Sequence, residues 1–185
     1  MASKKPISTI AYNEEVLKNV LQRKIDSGEL QFYAYIKHFG EGDGLSECKD
    51  HYHVFVAPNK QIDAVAFKRC FLDEDGRTTT INWVNSKFIE WLLYVLHDTE
   101  YLSEKGLVRK YHYSLENVVS SDDRDLDRMI CENPVPESIR IRRQIQAGYS
   151  FEEMFLSGSV KPSNACGVSV LKKNLFFSGI NKKEN

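Results

Sequence analysis

The segment KDHYHVFVAPNK, residues 49–60, places two histidines one residue apart at the start of an apolar run. β-Branched and aromatic residues alternate through it, which is typical of a half-buried strand. Side chains two residues apart point to the same side of a sheet, so the imidazoles of His51 and His53 should share one face. Because burial of either ring without a partner would be costly, the pair indicates a solvated surface or a binding site.

The surrounding periodicity predicts a fold for this strand. Apolar and polar positions indicate the order strand, helix, strand, strand, helix, strand, helix. The predicted segments are 7–12, a helix capped by Asn13 and ended by Gly28, then 30–39, 51–57, 62–73, 79–85 and 87–102. The first six elements match the split βαβ arrangement, in which two helices cover one face of an antiparallel sheet. We therefore expect an α+β, ferredoxin-like fold whose other face is open and carries the two histidines.

Length and composition indicate one domain with an extension. A chain of 185 residues with 42% hydrophobic residues can bury one core. We expect that domain to span residues 1–120, and residues 121–185 to form a linker and a small helical C-terminal region that serves oligomerisation or DNA contacts. No stretch approaches the ~18 apolar residues that cross a bilayer, so we expect a cytoplasmic protein without a membrane partner.

Charge and cysteine content exclude some classes. A net charge of -1 argues against a generic nucleic-acid-binding protein. The charge is uneven, however, since residues 139–185 hold eight basic and three acidic residues. Arg140 and Arg143 should lie on one helix face and are candidate DNA contacts. The four cysteines form no CxxC pair, which argues against a zinc ribbon and favours reduced thiols.

Neighbouring residues could complete a divalent metal site around the histidine pair. Two neutral imidazoles need at least one more ligand from another element. His38 ends the preceding strand and would lie close if the two strands form an adjacent antiparallel pair. Glu41 and Asp43, in the connecting loop, could add an oxygen ligand. Taken alone, an HxH pair in a strand is more often a solvated surface.

A tyrosine on the last predicted helix is a candidate nucleophile. In FIEWLLYVLHDTEY, Tyr94 borders the apolar stripe and lies one helical turn before His97. A phenol can act as a nucleophile when a metal or base offsets its pKa of ~10. Tyr101 would lie on nearly the same face if the helix continues. The alternative is that Tyr94 is an amphipathic core aromatic.

A basic, aromatic segment follows this helix. In RKYHYS, residues 109–114, cationic side chains could grip phosphates while aromatic rings stack on bases. The four candidate DNA-binding residues are Arg109, Lys110, Tyr111 and Tyr113. An ordinary edge strand with solvated charges explains the segment equally well.

Three segments taken together resemble the HUH endonuclease domain of small rolling-circle replication initiators of plasmids and phages. They are DHYHVFV, the helix with YVLH about forty residues later, and GLVRKYHYSLENV. The likeness covers roughly residues 7–118. It implies the HUH fold, with His51 and His53 as ligands of Mn²⁺ or Mg²⁺, His38 as a further ligand, and Glu41 or Asp43 as an acidic one. It also implies that Tyr94 is the nucleophile, and that His97 holds a catalytic position often occupied by lysine.

The function implied by this resemblance is metal-dependent, site-specific nicking and joining of single-stranded or extruded origin DNA through a 5'-phosphotyrosine, in a bacterial host cell. The chain has no GxxxxGK[ST] phosphate loop, so a host helicase would be recruited, and a homo-oligomer is one expected assembly. The spacing of histidines and tyrosine disfavours an HUH transposase or relaxase. A DNA-binding regulator that keeps the fold without catalysis is the alternative of another class.

Overall fold

The structure is a computed structural model, and it describes residues 2–40, 50–71, 81–83, 87–132 and 135–160. The chain divides into two compact units, residues 1–134 and 135–185. The functional division predicted at residue 120 stays a prediction. Among the described residues, no helix has the length and apolar character required to cross a bilayer.

The described residues of the first unit form seven strands and five α-helices. Its strands are β1 (Ala2–Ser3), β2 (Ile7–Ala11), β3 (Leu30–His38), β4 (His51–Pro58), β5 (Ile62–Asp63), β6 (Ile81–Trp83) and β7 (Val118–Ser120). Its helices are α1 (Glu14–Asp26), α2 (Ala64–Arg69), α3 (Phe88–Val95), α4 (Thr99–Glu104) and α5 (Asp123–Glu132). Residues 123–132, which the sequence suggested as part of a linker, are therefore helical.

The main sheet is antiparallel throughout. Its strand order is β6-β2-β4-β3-β7, and a separate pair joins β1 to β5. The order of β2, α1, β3, β4, α2 and β6 along the chain is the predicted one, and β4 lies between β2 and β3 as a split βαβ unit requires. The predicted α+β class with an antiparallel sheet is confirmed.

One face of the sheet packs against α1 and α2. The Asn13 side chain caps α1 by accepting a hydrogen bond from the Val16 N–H at 3.1 Å, and Gly28 follows the helix at a φ of +65°, as the sequence predicts. Leu17, Leu21 and Phe67 carry the helical side of this core. The strand side chains that meet them include Ile7, Tyr33, Tyr35, Tyr52, Val54 and Val56.

The opposite face is covered by α3, so the expectation of an open face is wrong. Phe55 of β4 has its ring centroid 4.9 Å from that of Phe88 and 5.4 Å from that of Trp91. The physical reason is the composition of α3, in which six of eight residues are buried. A helix that is apolar around most of its circumference must pack against another layer, and this face is the layer it covers.

The predicted single helix over 87–102 is interrupted, and that prediction is wrong in its length. His97 follows α3 in the left-handed region at a φ of +56°. Its N–H donates to the Tyr94 carbonyl at 3.2 Å, and the Asp98 N–H donates to the Leu93 carbonyl at 2.9 Å, the two bonds of a Schellman motif. Asp98 then caps α4 by accepting from the Tyr101 N–H at 3.0 Å.

The second unit contains helices α6 (Glu137–Gln146) and α7 (Phe151–Leu156). They share a small core of Ile141, Ile145, Met154 and Val160. Ser150 begins α7 with a capping box that pairs it with Glu153. These helices lie in the region where the sequence predicts a small helical extension, and residues 161–185 of that region lie outside the described residues.

Candidate metal centre and active site

The register between β3 and β4 brings three histidines together. His38 is the cross-strand partner of His51, so the predicted adjacent antiparallel pairing is confirmed, and His53 shares the face of His51. The ring centroid of His38 lies 5.5 Å from that of His51 and 4.5 Å from that of His53. One nitrogen from each of the three rings lies within 4.8 Å of the others. Three imidazoles so placed could bind one metal ion.

These histidines do not lie on an exposed surface. They sit at the end of the face that α3 covers, where His38 is only 4% exposed and His51 and His53 are half-buried. Burial lowers the pKa of His38 to about 4, although its hydrogen bond to the Val95 carbonyl acts in the opposite direction. Burial is the main cause that holds the pKa of His53 well below its ordinary value, and the electrostatic effect of the nearby His38 imidazole is the second. Both rings are therefore neutral at pH 7, the state that binds metals.

The orientation of His38 is fixed by the end of α3. Its Nε2 lies 2.7 Å from the Val95 carbonyl oxygen. A carbonyl only accepts, so Nε2 carries the proton and donates it, which leaves the Nδ1 lone pair as the one that can bind a metal. The two histidines of β4 also bring ring nitrogens together, since Nε2 of His51 and Nε2 of His53 are 3.2 Å apart. Adjacent ligands in an octahedral site with bonds of about 2.1 Å are separated by about 3 Å.

The donor set therefore fits a divalent first-row metal, for which imidazole is a common ligand. Glu41 and Asp43, the predicted acidic ligands, lie outside the described residues, and their roles stay predictions.

Tyr94 stands at the rim of this cluster. It occupies the last turn of α3, where it is 37% exposed, and its ring centroid lies 6.1 Å from that of His53 in an edge-to-face arrangement. Its neighbours Leu93 and Val95 are buried. Tyr94 therefore presents its ring to both solvent and the histidines, while its role as the nucleophile stays a prediction.

Tyr101 does not share this position. The helix that would have placed it on the same face as Tyr94 ends at Val95, and Tyr101 lies in α4 at 8% exposure. Burial raises the pKa of its phenol, and the charge of Glu90 acts in the same direction. A buried phenol with a raised pKa is a poor nucleophile.

His97 lies behind the histidine cluster rather than one turn along a helix from Tyr94. The turn after α3 buries it, with its ring centroid 4.6 Å from that of His38. Its Nδ1 donates to the Tyr111 carbonyl at 2.7 Å, and its own carbonyl accepts from His112 Nδ1 at 2.6 Å. His97 thus links the end of α3 to the segment that follows α4, and its catalytic role stays a prediction.

The basic, aromatic segment 109–114 is irregular, so the edge-strand alternative is wrong for it. Tyr113 stacks on His38 with a centroid separation of 4.4 Å and an interplanar angle of 4°. Its hydroxyl accepts from the Phe39 N–H at 3.2 Å, and its N–H donates to the Leu96 carbonyl at 3.0 Å. These contacts hold the ring against the imidazole. Sequence reasoning missed this arrangement, because it treated Tyr113 only as a base-stacking residue.

The cationic residues of the segment differ in their surroundings. Arg109 is half-buried. Its positive charge lowers the pKa of His38 and of His53, although less than the burial of those two rings does. Its guanidinium therefore acts on the histidine cluster. Lys110 and Tyr111 are exposed, with the ammonium of Lys110 lying 5.8 Å from the Tyr111 ring centroid.

The other predicted DNA contacts belong to the second unit. Arg140 and Arg143 lie three residues apart on α6, as the sequence predicts. Arg140 donates to the Ser159 carbonyl at 3.2 Å and pairs with Glu137 at 3.6 Å. Their contacts with DNA stay predictions.

Comparison with known proteins adds no relative, since neither the family models nor the curated proteins gave a match.

The buried His38 should make the stability of the metal-free protein depend on pH. Its folded pKa of about 4 lies below the value of about 6.5 expected in the unfolded chain. The unfolded chain therefore takes up a proton first as the pH falls from 6.5 to 4, which lowers the free energy of unfolding by up to roughly 3 kcal/mol. Urea unfolding in EDTA at several pH values, run on the wild type and on His38→Gln, measures this contribution. Identical pH slopes for the two proteins would contradict it.

Proposed function

We propose that this protein is a rolling-circle replication initiator with an HUH endonuclease fold, which nicks and rejoins single-stranded DNA through a 5'-phosphotyrosine. The observation that carries the proposal is the convergence of His38, His51 and His53, with the exposed ring of Tyr94 6.1 Å from His53. Metal-binding imidazoles and an accessible phenol in one place are the parts that such a reaction needs. The order of strands and helices also agrees with that of the family.

The three histidines would hold Mn²⁺ or Mg²⁺, with Glu41 or Asp43 adding an oxygen ligand. Three imidazoles fit Mn²⁺ better than Mg²⁺, since Mg²⁺ prefers oxygen ligands. When bound, the ion supplies positive charge that polarises a phosphate oxygen and stabilises charge in the transition state. The fold keeps His38 and His53 neutral and fixes His38 between the Val95 carbonyl and the Tyr113 ring, so both imidazoles are ready to bind an ion. Ligands held in advance lose little freedom when they bind.

Tyr94 supplies the nucleophile. Its phenolic oxygen attacks phosphorus, forming a tyrosyl oxygen–phosphorus bond while the bond from phosphorus to the 3'-oxygen breaks. The phenol loses its proton and the departing 3'-oxygen gains one, so the products are a 5'-phosphotyrosyl enzyme and a free 3'-hydroxyl. No external energy source is required to reverse the step, because the new phosphodiester replaces the old one. A later 3'-hydroxyl can therefore rejoin the strand.

Single-stranded or extruded DNA suits this site better than a duplex does. In a duplex the bases are paired and stacked inside, so they cannot contact aromatic side chains beside the site, whereas a single strand offers both its phosphates and its bases. Arg109 and Lys110 place positive charge on the segment beside the histidines, where it would attract the phosphate backbone. The exposed ring of Tyr111 adds a surface for a base.

A replication initiator would also need a site of action and partners in the cell. The proposed initiator would act at an origin in the cytoplasm of a bacterial host, where a host helicase unwinds the strand that it frees. The second unit, with Arg140 and Arg143 on α6, would contribute duplex contacts or assembly into a homo-oligomer.

A metal-stabilised module without catalysis is the second candidate. Its support is the hydrogen bond that ties His38 of β3 to Val95 of α3, because a metal on this cluster would also brace two β-strands against a helix. Metal dependence of DNA cleavage, as opposed to metal dependence of folding, separates the two functions.

Tyr94→Phe should abolish the covalent adduct with labelled single-stranded oligonucleotides and leave their binding within about twofold, because it removes only the nucleophilic oxygen. A denaturing gel with Mn²⁺, beside an EDTA lane, detects the adduct as a protein-sized labelled band. Tyr101→Phe is the matched control and should retain the band. An adduct that persists in Tyr94→Phe would place the nucleophile elsewhere.

Replacing His51 and His53 together by alanine should weaken Mn²⁺ binding by more than about 100-fold. Loss of a residue that only hydrogen-bonds a metal ligand lowers metal affinity by about 10- to 100-fold, and loss of two ligands should lower it further. Calorimetric titration of the folded proteins measures this. Tyr94→Phe should bind Mn²⁺ like the wild type, since its phenol is not among the three nitrogen ligands. Unchanged affinity in the double variant would remove the histidines from the metal site.

A further inference from the structure

A row of four rings crosses the end of the main sheet. β2 and β3 lie on opposite sides of β4, and the pairing of Ala11 with Tyr52 directs the next residue, Tyr12, towards His51. The ring centroid of Tyr12 lies 6.5 Å from that of His51. His51 is followed in the row by His38 at 5.5 Å, and His38 by Tyr113 at 4.4 Å. The histidine cluster is thus flanked by a tyrosine on each side.

The two tyrosines differ in what they contact. Tyr113 lies flat on His38, and its hydroxyl accepts a hydrogen bond from the backbone of Phe39. Tyr12 is tilted by 57° from His51 and remains 44% exposed. A large aromatic ring exposed beside a candidate active site is available for a ligand.

The backbone around Tyr12 is held firmly. The Asn13 side chain caps α1 through the Val16 N–H, and Glu14 accepts a hydrogen bond from the Tyr52 hydroxyl at 2.9 Å. Tyr52 lies between His51 and His53 in sequence but points to the opposite face of β4, where it joins the α1 core. The core therefore fixes the position from which Tyr12 projects, so little order would have to be created when a ligand binds.

We propose that the Tyr12 ring stacks on a base of the single strand next to the scissile phosphate. The inference rests on the proposed function, because a phosphate at the histidine cluster is what brings a neighbouring base to Tyr12. Stacking uses the face of the ring and tolerates any base, so it positions the strand without reading its sequence. The ring, and not the hydroxyl, is the group required. Tyr12 is thus a DNA-positioning residue, distinct from the nucleophile Tyr94.

The test compares Tyr12→Ala and Tyr12→Phe with the parent protein, all carrying Tyr94→Phe so that cleavage does not consume the probe. Fluorescence anisotropy with Mn²⁺ measures the Kd for a randomised single-stranded pool of about 12 nucleotides, a length within the usual site sizes. A second probe of equal length has an abasic site at every position, so it keeps the phosphates and removes the bases. Circular dichroism checks that each variant is folded.

Tyr12→Ala should weaken binding to the pool by roughly 5- to 150-fold, the range that base–aromatic stacking provides, and leave binding to the abasic probe unchanged. Tyr12→Phe should stay within about twofold of the parent on both probes. Three results would overturn the inference: unchanged binding of the pool by Tyr12→Ala, an equal loss on the abasic probe, or an equal loss in Tyr12→Phe.

The same proteins with Tyr94 restored separate this inference from the proposed function. A base-dependent loss in Tyr12→Ala without a covalent adduct in the wild type would overturn the nicking reaction and retain Tyr12 as a stacking residue of a single-strand binding protein. An adduct in the wild type with normal pool binding by Tyr12→Ala would overturn only the stacking role. Failure of the parent to bind either probe would overturn both.

Discussion

The pairing of β3 with β4 is the constraint on which the candidate site depends. It sets His38 opposite His51 and leaves His53 on the same face. Because side chains alternate along a strand, a slip of one residue in β4 would turn both of its histidines towards α1 and bring Tyr52 and Val54 out of the core. The residues that pack against α1 therefore fix the register, and the register assembles the imidazoles. Core packing and the candidate metal site have the same origin.

The end of α3 ties the tyrosine to the histidines. Val95 accepts the hydrogen bond that orients His38, one residue after the exposed Tyr94. After the helix, His97 adopts the left-handed conformation although it is not glycine. For such a residue this conformation costs about 1–2 kcal/mol. That turn brings the His97 ring against His38 and lets its carbonyl accept from His112. Strain held in this way next to a cluster of candidate metal ligands is typical of functional sites.

The sequence predicts well what depends on local pattern. Strand alternation is enough to place His51 and His53 on one face, and the Asn13 cap marks the start of α1. His38 lies beside the pair because neighbouring strands in the chain pair antiparallel, which the sequence offered only as a condition. The covered second face could not be predicted, because it requires knowing which layer the apolar circumference of α3 meets. The break after Val95 was also missed, since LHDTEYL continues a helical pattern and Asp98 acts as a cap only in the folded turn. Tyr113 stacks on His38 through an irregular segment, which has no periodicity to reveal it.

An anomalous difference map from crystals of the protein grown with Mn²⁺ would show directly whether the three histidines bind one ion. We expect one strong peak at bonding distance from His38, His51 and His53, with Nδ1 of His38 as the nitrogen that contacts it. The direction of that ring matters, because it follows from the Val95 carbonyl and not from the presence of three histidines alone. A map with no peak there, or with the manganese bound elsewhere while these rings keep their positions, would show that the three histidines are not the metal site.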